Sequence, residues 1–406
     1  MIVLAGGDLV LPDRIVTGGS LVIEGARIAA VEAHARVDPA GATVIDASQC
    51  YVVPGFVDVH VHGVEGIDAF DGPEAIAAMA LRLPAYGVTA FCPASVACDP
   101  VALRAFLAQV SRARVAPGAR AARVLPAHLE SNFLSPEYAG AQPAECLRSP
   151  ARLDARTAPM MAGADPTFSG QEILDVIAAG RADIGIITMA PELEGGVDLV
   201  RSLCAAGHRV ALGHSGADFD VAIAAIEAGA RHATHLFNRM TPMSHRAPGV
   251  AGAVLAREDV VAELICDGHH VHPAMCRTTM AAKGVHGVLA ITDGTAGAGL
   301  PVGTSTRLGP KTIRVSAHAA ELENGTLAGS TLTMDRAFAN IVNRFGGSLV
   351  DASAMCATNP ARELGLIGHG LIGAGAVADL VVLDRRLQVI CTMIGGSLAY
   401  DTRARS

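Results

Sequence analysis

Imidazole and carboxylate side chains recur at the C-terminal ends of short apolar runs in this 406-residue chain. His60 and His62 end the run that begins at Phe56. His128 and Glu130 end Val124–Glu130, His214 ends Val210–His214, His235 lies in Ala233–Leu236, and Asp293 ends Val288–Asp293. Gathered at one point, such groups suit a divalent cation of hard-to-borderline character. Residues two apart on a strand point to the same side, so His60 and His62 can reach one ion. An HxH pair alone does not define a ligand set, but its place at the end of the first such strand, after VVPGFVD, gives it meaning. Glu130 is either a ligand or a solvated loop residue on its own evidence. Asp293, held beside a cation-bound water, can take its proton and later deliver it to a leaving group. The cation would bring the pKa of that water toward neutrality. The only lysines are Lys283 and Lys311, outside the middle strands, so no carbamylated lysine can bridge two ions there and Glu130 is the candidate for that role.

Positioning these groups requires a parallel sheet. Apolar runs alternate with helical patterns: Phe56–His60 before Glu74–Leu83, Val88–Pro93 before Val101–Arg114, Ile184–Met189 before Val197–Ala206, and Val210–His214 before Val221–Ala228. Val124–Glu130, Ala233–Leu236, Val261–Cys266 and Val288–Asp293 complete about eight strands, whose unbroken apolar character is that of a sheet buried on both faces. A (β/α)8 TIM-like barrel is the economical closure, and its strand C-terminal ends share one face, where active sites sit. A doubly wound open sheet is the other option, but no GxGxxG follows an early strand. Both chain ends are β-rich, with Ser20–Ile23 and Arg27–Val31 at one and Ala378–Leu383 and Gln388–Thr392 at the other. They are expected to form a small β-sandwich domain from residues 1–53 and 376–406, flanking a barrel over 54–375.

Composition excludes several classes. The chain is 51% hydrophobic and 17% charged, unlike a disordered segment. The formal net charge of −8, from 31 basic and 39 acidic residues, offers no basic footprint for a nucleic acid. The charge-free stretch between Arg82 and Asp99 contains Pro84 and Pro93 and falls short of the roughly 20 apolar residues of a spanning helix. The N-terminal MIVLAGGDLVLPDR has no basic n-region, so neither membrane insertion nor secretion is expected, and the cytoplasm is the default. Nine cysteines without a CxxC pair read as buried thiols in a reducing compartment. The methionines, such as Met160-Met161, read as core or loop filler.

In their order and spacing, these motifs resemble the amidohydrolase superfamily and, within it, the N-acetylglucosamine-6-phosphate deacetylases. The resemblance runs over nearly the whole chain: PGFVDVHVHG, HLE (128–130), GHS (213–215), THLFNRM (234–240), HRAPG (245–249), DGHHV (267–271), TDGTAGAG (292–299), LAGSTLTM (327–334), NPAREL and ADLVVLD. It implies that Glu130, His214 and His235 hold the main metal, that His60 and His62 hold a second ion where one is present, and that Asp293 is the catalytic acid/base. Zinc is the expected metal, with iron, manganese, cobalt or nickel as alternatives. It further implies that Asn238, Arg246 and His270 bind the sugar phosphate, with Arg246 reaching over from the partner subunit of a homodimer. An Arg fork and amide donors suit a dianionic phosphate. The implied reaction is metal-dependent removal of the acetyl group from an N-acetylated amino-sugar phosphate, N-acetylglucosamine 6-phosphate first.

Two stretches depart from the family pattern. Ser131-Asn132-Phe133 replaces Gly-Pro-aromatic, and Tyr138-Ala139-Gly140-Ala141-Gln142 replaces Lys-Lys-Gly-Ala-His. Gln142 thus stands where a substrate-touching His is usual, and keeps hydrogen bonding without the option of positive charge. The alternatives are a related barrel enzyme acting on another N-acyl amino sugar, a cyclic amide or an amino-heterocycle, and a scaffold that kept the fold without catalysis. The second should have lost a ligand or Asp293, and none is lost. His128 is a candidate support near the metal, and His245 and His269 lie near the phosphate loop. These two, with His34, His208, His232, His272, His286, His318 and His369, otherwise read as surface, capping or supporting residues.

Overall fold

The computed structural model describes residues 1–34, 41–156, 167–317 and 319–405; His318 and Met160-Met161 lie outside them. Eight strands run parallel in sequence order: Phe56–Val61, Val88–Ser95, Ala127–Glu130, Ile184–Met189, Arg209–Leu212, His232–Ala233, Val261–Ile265 and Val288–Ile291. The last meets the first through the parallel bridge Val61↔Gly294 and through Asp293 N–H donating to the His60 carbonyl at 2.9 Å. The fold is therefore a (β/α)8 barrel. Its strands are apolar on both faces because side chains fill the barrel on one side and helices cover the other. All eight residues of Val88–Ser95 are buried.

The helices show local causes. Pro100–Val115 starts where Asp99 accepts the Val101 and Ala102 N–H groups and Pro100 fixes the first turn. Its Leu103, Phe106, Leu107 and Val110 recur at helical spacing and are buried. Ser169 and Glu172 form a capping box at the start of Gly170–Ala179. The predicted strand Val124–Glu130 is interrupted: Arg123–Val124 and Ala127–Glu130 are separate, because Pro126 has no N–H for the ladder. Ala233–Leu236 is shorter than expected, since the chain leaves the ladder after Ala233 to make the turn that carries His235.

Both termini build the second unit, a mixed eight-stranded sheet in the order Ser397–Asp401, Val389–Ile394, Leu380–Leu383, Tyr51–Pro54, Ile2–Val10, Ile15–Glu24, Arg27–Glu32, with Thr43–Asp46 beside Ile2–Val10. Its inner faces share one core that includes Leu4, Leu21, Ile23, Val52, Leu380 and Val382. A small antiparallel sheet, Ser305–Leu308, Lys311–Val315 and Ala320–Glu321, follows the last barrel strand and has no counterpart among the sequence expectations. Among the described residues no helix is long and apolar enough to cross a membrane. The nine cysteines are all free.

Candidate metal centre and active site

The strand ends converge as the barrel requires. Glu130 Oε1 lies 2.9 Å from His214 Nε2 and 3.0 Å from His235 Nε2, and the two nitrogens are 3.1 Å apart. His60 Nε2 lies 3.2 Å from His62 Nε2 and 3.5 Å from Asp293 Oδ1, which is 3.3 Å from His62 Nε2. His62 Nε2 is 3.5 Å from Glu130 Oε2, so the two groups share one floor. All six residues are buried.

The hydrogen positions that this geometry demands leave nitrogen lone pairs facing carboxylate oxygens. His214 Nδ1 is 2.9 Å from the Tyr138 carbonyl and His60 Nδ1 is 3.0 Å from a Glu263 oxygen. Both partners only accept, so Nδ1 carries the hydrogen and a neutral ring presents a bare Nε2 to the centre. Bare nitrogens and carboxylates at about 3 Å repel unless a cation lies among them. The same demand appears in protonation. Burial pushes the His62 imidazole down, but hydrogen bonds and charge from Asp293 and Glu130 outweigh it and lift it to about 10. Burial pushes Glu130 up, and the charge and hydrogen bonds of His214, His235 and His62 hold it well below the usual carboxylate range. Asp293 is also lowered, against burial, by His60, His62 and His235. The donor set therefore fits a divalent cation held by His and carboxylate.

Backbone strain marks the same residues. His214, His235 and Asp293 have φ of 48°, 30° and 47°, a region non-glycine residues seldom enter. Each costs roughly 1–3 kcal/mol and persists only because the surroundings enforce it, and such strain concentrates at functional sites. Here it turns the side chain at each strand end inward.

Two supporting acids, Glu263 and Asp58, are not among the site residues expected from the sequence, although Asp58 lies within PGFVDVHVHG. Glu263, buried within Val261–Ile265, accepts from His60, from His232 Nε2 at 2.8 Å, and from the His235 N–H at 3.2 Å. Burial pushes Glu263 up, but His128, His60 and His232 hold it well below its ordinary value. Asp58 accepts from Thr292 Oγ1 at 2.5 Å and from the His60 N–H at 3.2 Å, tying the first strand to the last, and burial pushes its carboxyl up to about 6. A charged residue inside an apolar barrel strand is the available signal for both. His128 stands beneath the cluster, between the Val59 carbonyl at 3.1 Å and Thr188 Oγ1 at 2.7 Å, and burial holds it down at about 3. His232 is likewise a buried support, raised to about 9 because Glu263 and Glu363 outweigh burial.

A cavity of about 360 Å³ opens above the cluster. Asn238, His270 and Gln142 line it with His62, Glu130, His214, His235 and Asp293. Gln142 is drawn to the floor, where its amide donates to Glu130 Oε2 and accepts from the Ala97 N–H at 2.8 Å. His270 Nδ1 is 2.6 Å from Asp267 Oδ2, which fixes the ring. Arg246, His245 and His269 are exposed and do not line the cavity. His272 caps the helix Pro273–Lys283, and His369 lies against Asp379.

The amidohydrolase family model matches residues 51–399. The N-acetylgalactosamine-6-phosphate deacetylase of Escherichia coli O157:H7 is 33% identical over 90% of this chain and 92% of its own. The N-acetylglucosamine-6-phosphate deacetylase of Bacillus subtilis (strain 168) is 30% identical over 97% and 96%. A mutant N-acetyl-D-glucosamine-6-phosphate deacetylase of Mycobacterium smegmatis, solved in complex with N-acetyl-D-glucosamine-6-phosphate, superposes with a TM-score of 0.85 at 32% identity, covering 98% of this chain and 99% of that one. With a parallel barrel whose strand ends carry His, Glu and Asp to one floor, and a family match spanning both units, the chain belongs to the amidohydrolase family.

Proposed function

We propose that this chain is a divalent-metal-dependent deacetylase that cleaves the amide of an N-acetylated hexosamine 6-phosphate, N-acetylglucosamine 6-phosphate first, giving the amine and acetate. The observation that carries this reading is the meeting of Glu130, His214 and His235 at 2.9–3.1 Å beside Asp293, under a cavity sized for one small sugar. The deacetylase relatives support the substrate class.

Glu130, His214 and His235 would hold the main ion, zinc by preference, and His60 and His62 a second. When bound, such an ion polarises a carbonyl and acidifies water. Asp293 takes the proton of the attacking water at its carboxylate and gives it to the departing amine nitrogen, so that one buried group serves as base and then as acid. Glu263 keeps the hydrogen of His60 on Nδ1, and the Tyr138 carbonyl does the same for His214, so both rings keep their orientation. Asn238 and His270 bind the phosphate, and Gln142 meets the substrate while bracing Glu130.

Exposed Arg246 fits a homodimer in which it completes the partner's cavity. The free cysteines favour the cytoplasm. We assign residues 1–53 with 376–406 to the small β domain and 54–375 to the barrel, a reading that the separate terminal and barrel sheets support. Turnover of N-acyl hexosamine 6-phosphates and their unphosphorylated forms, measured on metal-analysed protein, tests the reading. Acetate release that depends on both phosphate and metal is expected; no turnover of any such sugar overturns it. The E. coli relative makes the N-acetylgalactosamine epimer a necessary arm of that screen.

A further inference from the structure

At the end of the barrel opposite the metal centre, a cavity of about 540 Å³ opens between the N-terminal ends of Ile184–Met189 and Arg209–Leu212 and the helix Asn359–Glu363. Leu125 and Leu364 give it apolar walls, and Arg209, Arg231, His208 and Glu363 supply its polar groups. Each guanidinium is held from one edge. Arg209 Nε lies 2.7 Å from Glu363 Oε1, and Nη2 donates to the Glu363 carbonyl. Arg231 Nη1 donates to the Ile226 and Ala230 carbonyls, and Nε lies 3.4 Å from Asp259 Oδ2. Among the described residues nothing engages Arg209 Nη1 or Arg231 Nη2. His208 is 8% exposed, and among the described residues neither ring nitrogen has a partner, although Nδ1 is wholly buried. Buried polar atoms of folded proteins normally meet a partner.

Two anchored guanidiniums with spare N–H groups, beside a buried imidazole whose own N–H is unused, are donors already fixed in place for an anion. Three donor residues suit the three terminal oxygens of a phosphate monoester, and the apolar walls leave room for the body that carries it. The same cavity touches the outer end of a buried chain of charged groups. Glu363 Oε1 is 3.6 Å from His232 Nδ1, and His232 Nε2 donates to Glu263 Oε1 at 2.8 Å. Glu263 Oε2 in turn accepts from His60 Nδ1 at 3.0 Å and from the His235 N–H at 3.2 Å. An anion on Arg209 competes with Glu363 for one guanidinium and so changes the charge that His232 meets. We propose that this cavity is an effector site for a small phosphorylated molecule, whose binding acts on the metal centre through Glu363, His232 and Glu263. The site stands apart from the deacetylase reading; its effect on turnover rests on that reading.

The test compares metal-loaded wild type, Arg231→Gln and His208→Leu. Crystals soaked in arsenate, which mimics phosphate, and recorded at the arsenic absorption edge should show a peak between Arg209, Arg231 and His208 that Arg231→Gln lacks. Calorimetry with inorganic phosphate should find a binding event in wild type that weakens by about tenfold or more in both variants. In turnover of N-acetylglucosamine 6-phosphate, phosphate competing at the active cavity raises KM alone, so a fall in kcat of about twofold or more that both variants lose reports the far cavity. No arsenic peak in this cavity, a peak without a calorimetric binding event, phosphate affinity in both variants equal to wild type, or a kcat indifferent to phosphate overturns the proposal. Should wild type turn over no such sugar, the deacetylase reading fails by itself, and diffraction and calorimetry still decide the site.

Discussion

His214 Nε2 and His235 Nε2 lie 3.1 Å apart and face the same oxygen of Glu130, at 2.9 and 3.0 Å. Only one hydrogen can point along each of these lines, and the Tyr138 carbonyl already takes that of His214. The cluster is therefore built for a positive charge at its centre.

Removing the ion should cost stability as well as activity. A metal present at about 1,000 times its Kd contributes about 4 kcal/mol to the folded state. Dialysis against a chelator should lower the melting temperature by several degrees and abolish turnover, and added zinc should restore both. An unchanged melting temperature in protein shown to be metal-free contradicts this.

Asp293→Asn keeps the shape at the end of the last barrel strand but removes the proton carrier. Its kcat should fall by about 10²–10⁴-fold with metal content unchanged by elemental analysis. Loss of metal together with activity would place Asp293 among the ligands instead.

Glu263→Gln tests the buried acid beneath the cluster. The carboxylate orients His60 and His232 and receives the His235 N–H. An amide presents one acceptor and one donor, so at least one ring loses its orientation. Metal affinity should weaken by about 10- to 100-fold, as for other groups that orient ligands. Competition with a fluorescent chelator measures this, and an affinity equal to wild type contradicts the role.

Asp379 gives a pH dependence remote from the metal. Burial pushes its carboxyl up, but His369, Arg123 and the Gly395 N–H outweigh burial and hold it below its ordinary value. A carboxyl lowered in the fold adds stability above its unfolded pKa, about 3.9. That contribution is lost as pH falls through the lower folded value. Asp379→Asn should therefore cost about 2 kcal/mol at pH 7 in urea unfolding, and the gap to wild type should shrink below about pH 4. A gap that stays constant with pH contradicts the assignment.

The barrel is legible in the sequence because every strand of a parallel sheet is a continuous apolar run, and the site is legible because strand C-terminal ends converge. His60, His62, Glu130, His214, His235 and Asp293 can thus be grouped from their places at run ends. Glu263 and Asp58 cannot, since each sits inside a strand and its role depends on which rings the closed barrel sets beside it. The sheet over 305–321 is hard to read because its strands are only two to five residues long, too short for the alternation in Lys311–Val315 to stand out.

The most direct test is anomalous X-ray diffraction from metal-loaded crystals, recorded at the absorption edge of the bound metal. A peak about 2.0–2.2 Å from Glu130 Oε1, His214 Nε2 and His235 Nε2 is the predicted result. A fully loaded protein whose ion lies elsewhere, with these three side chains bonded only to one another, would contradict it.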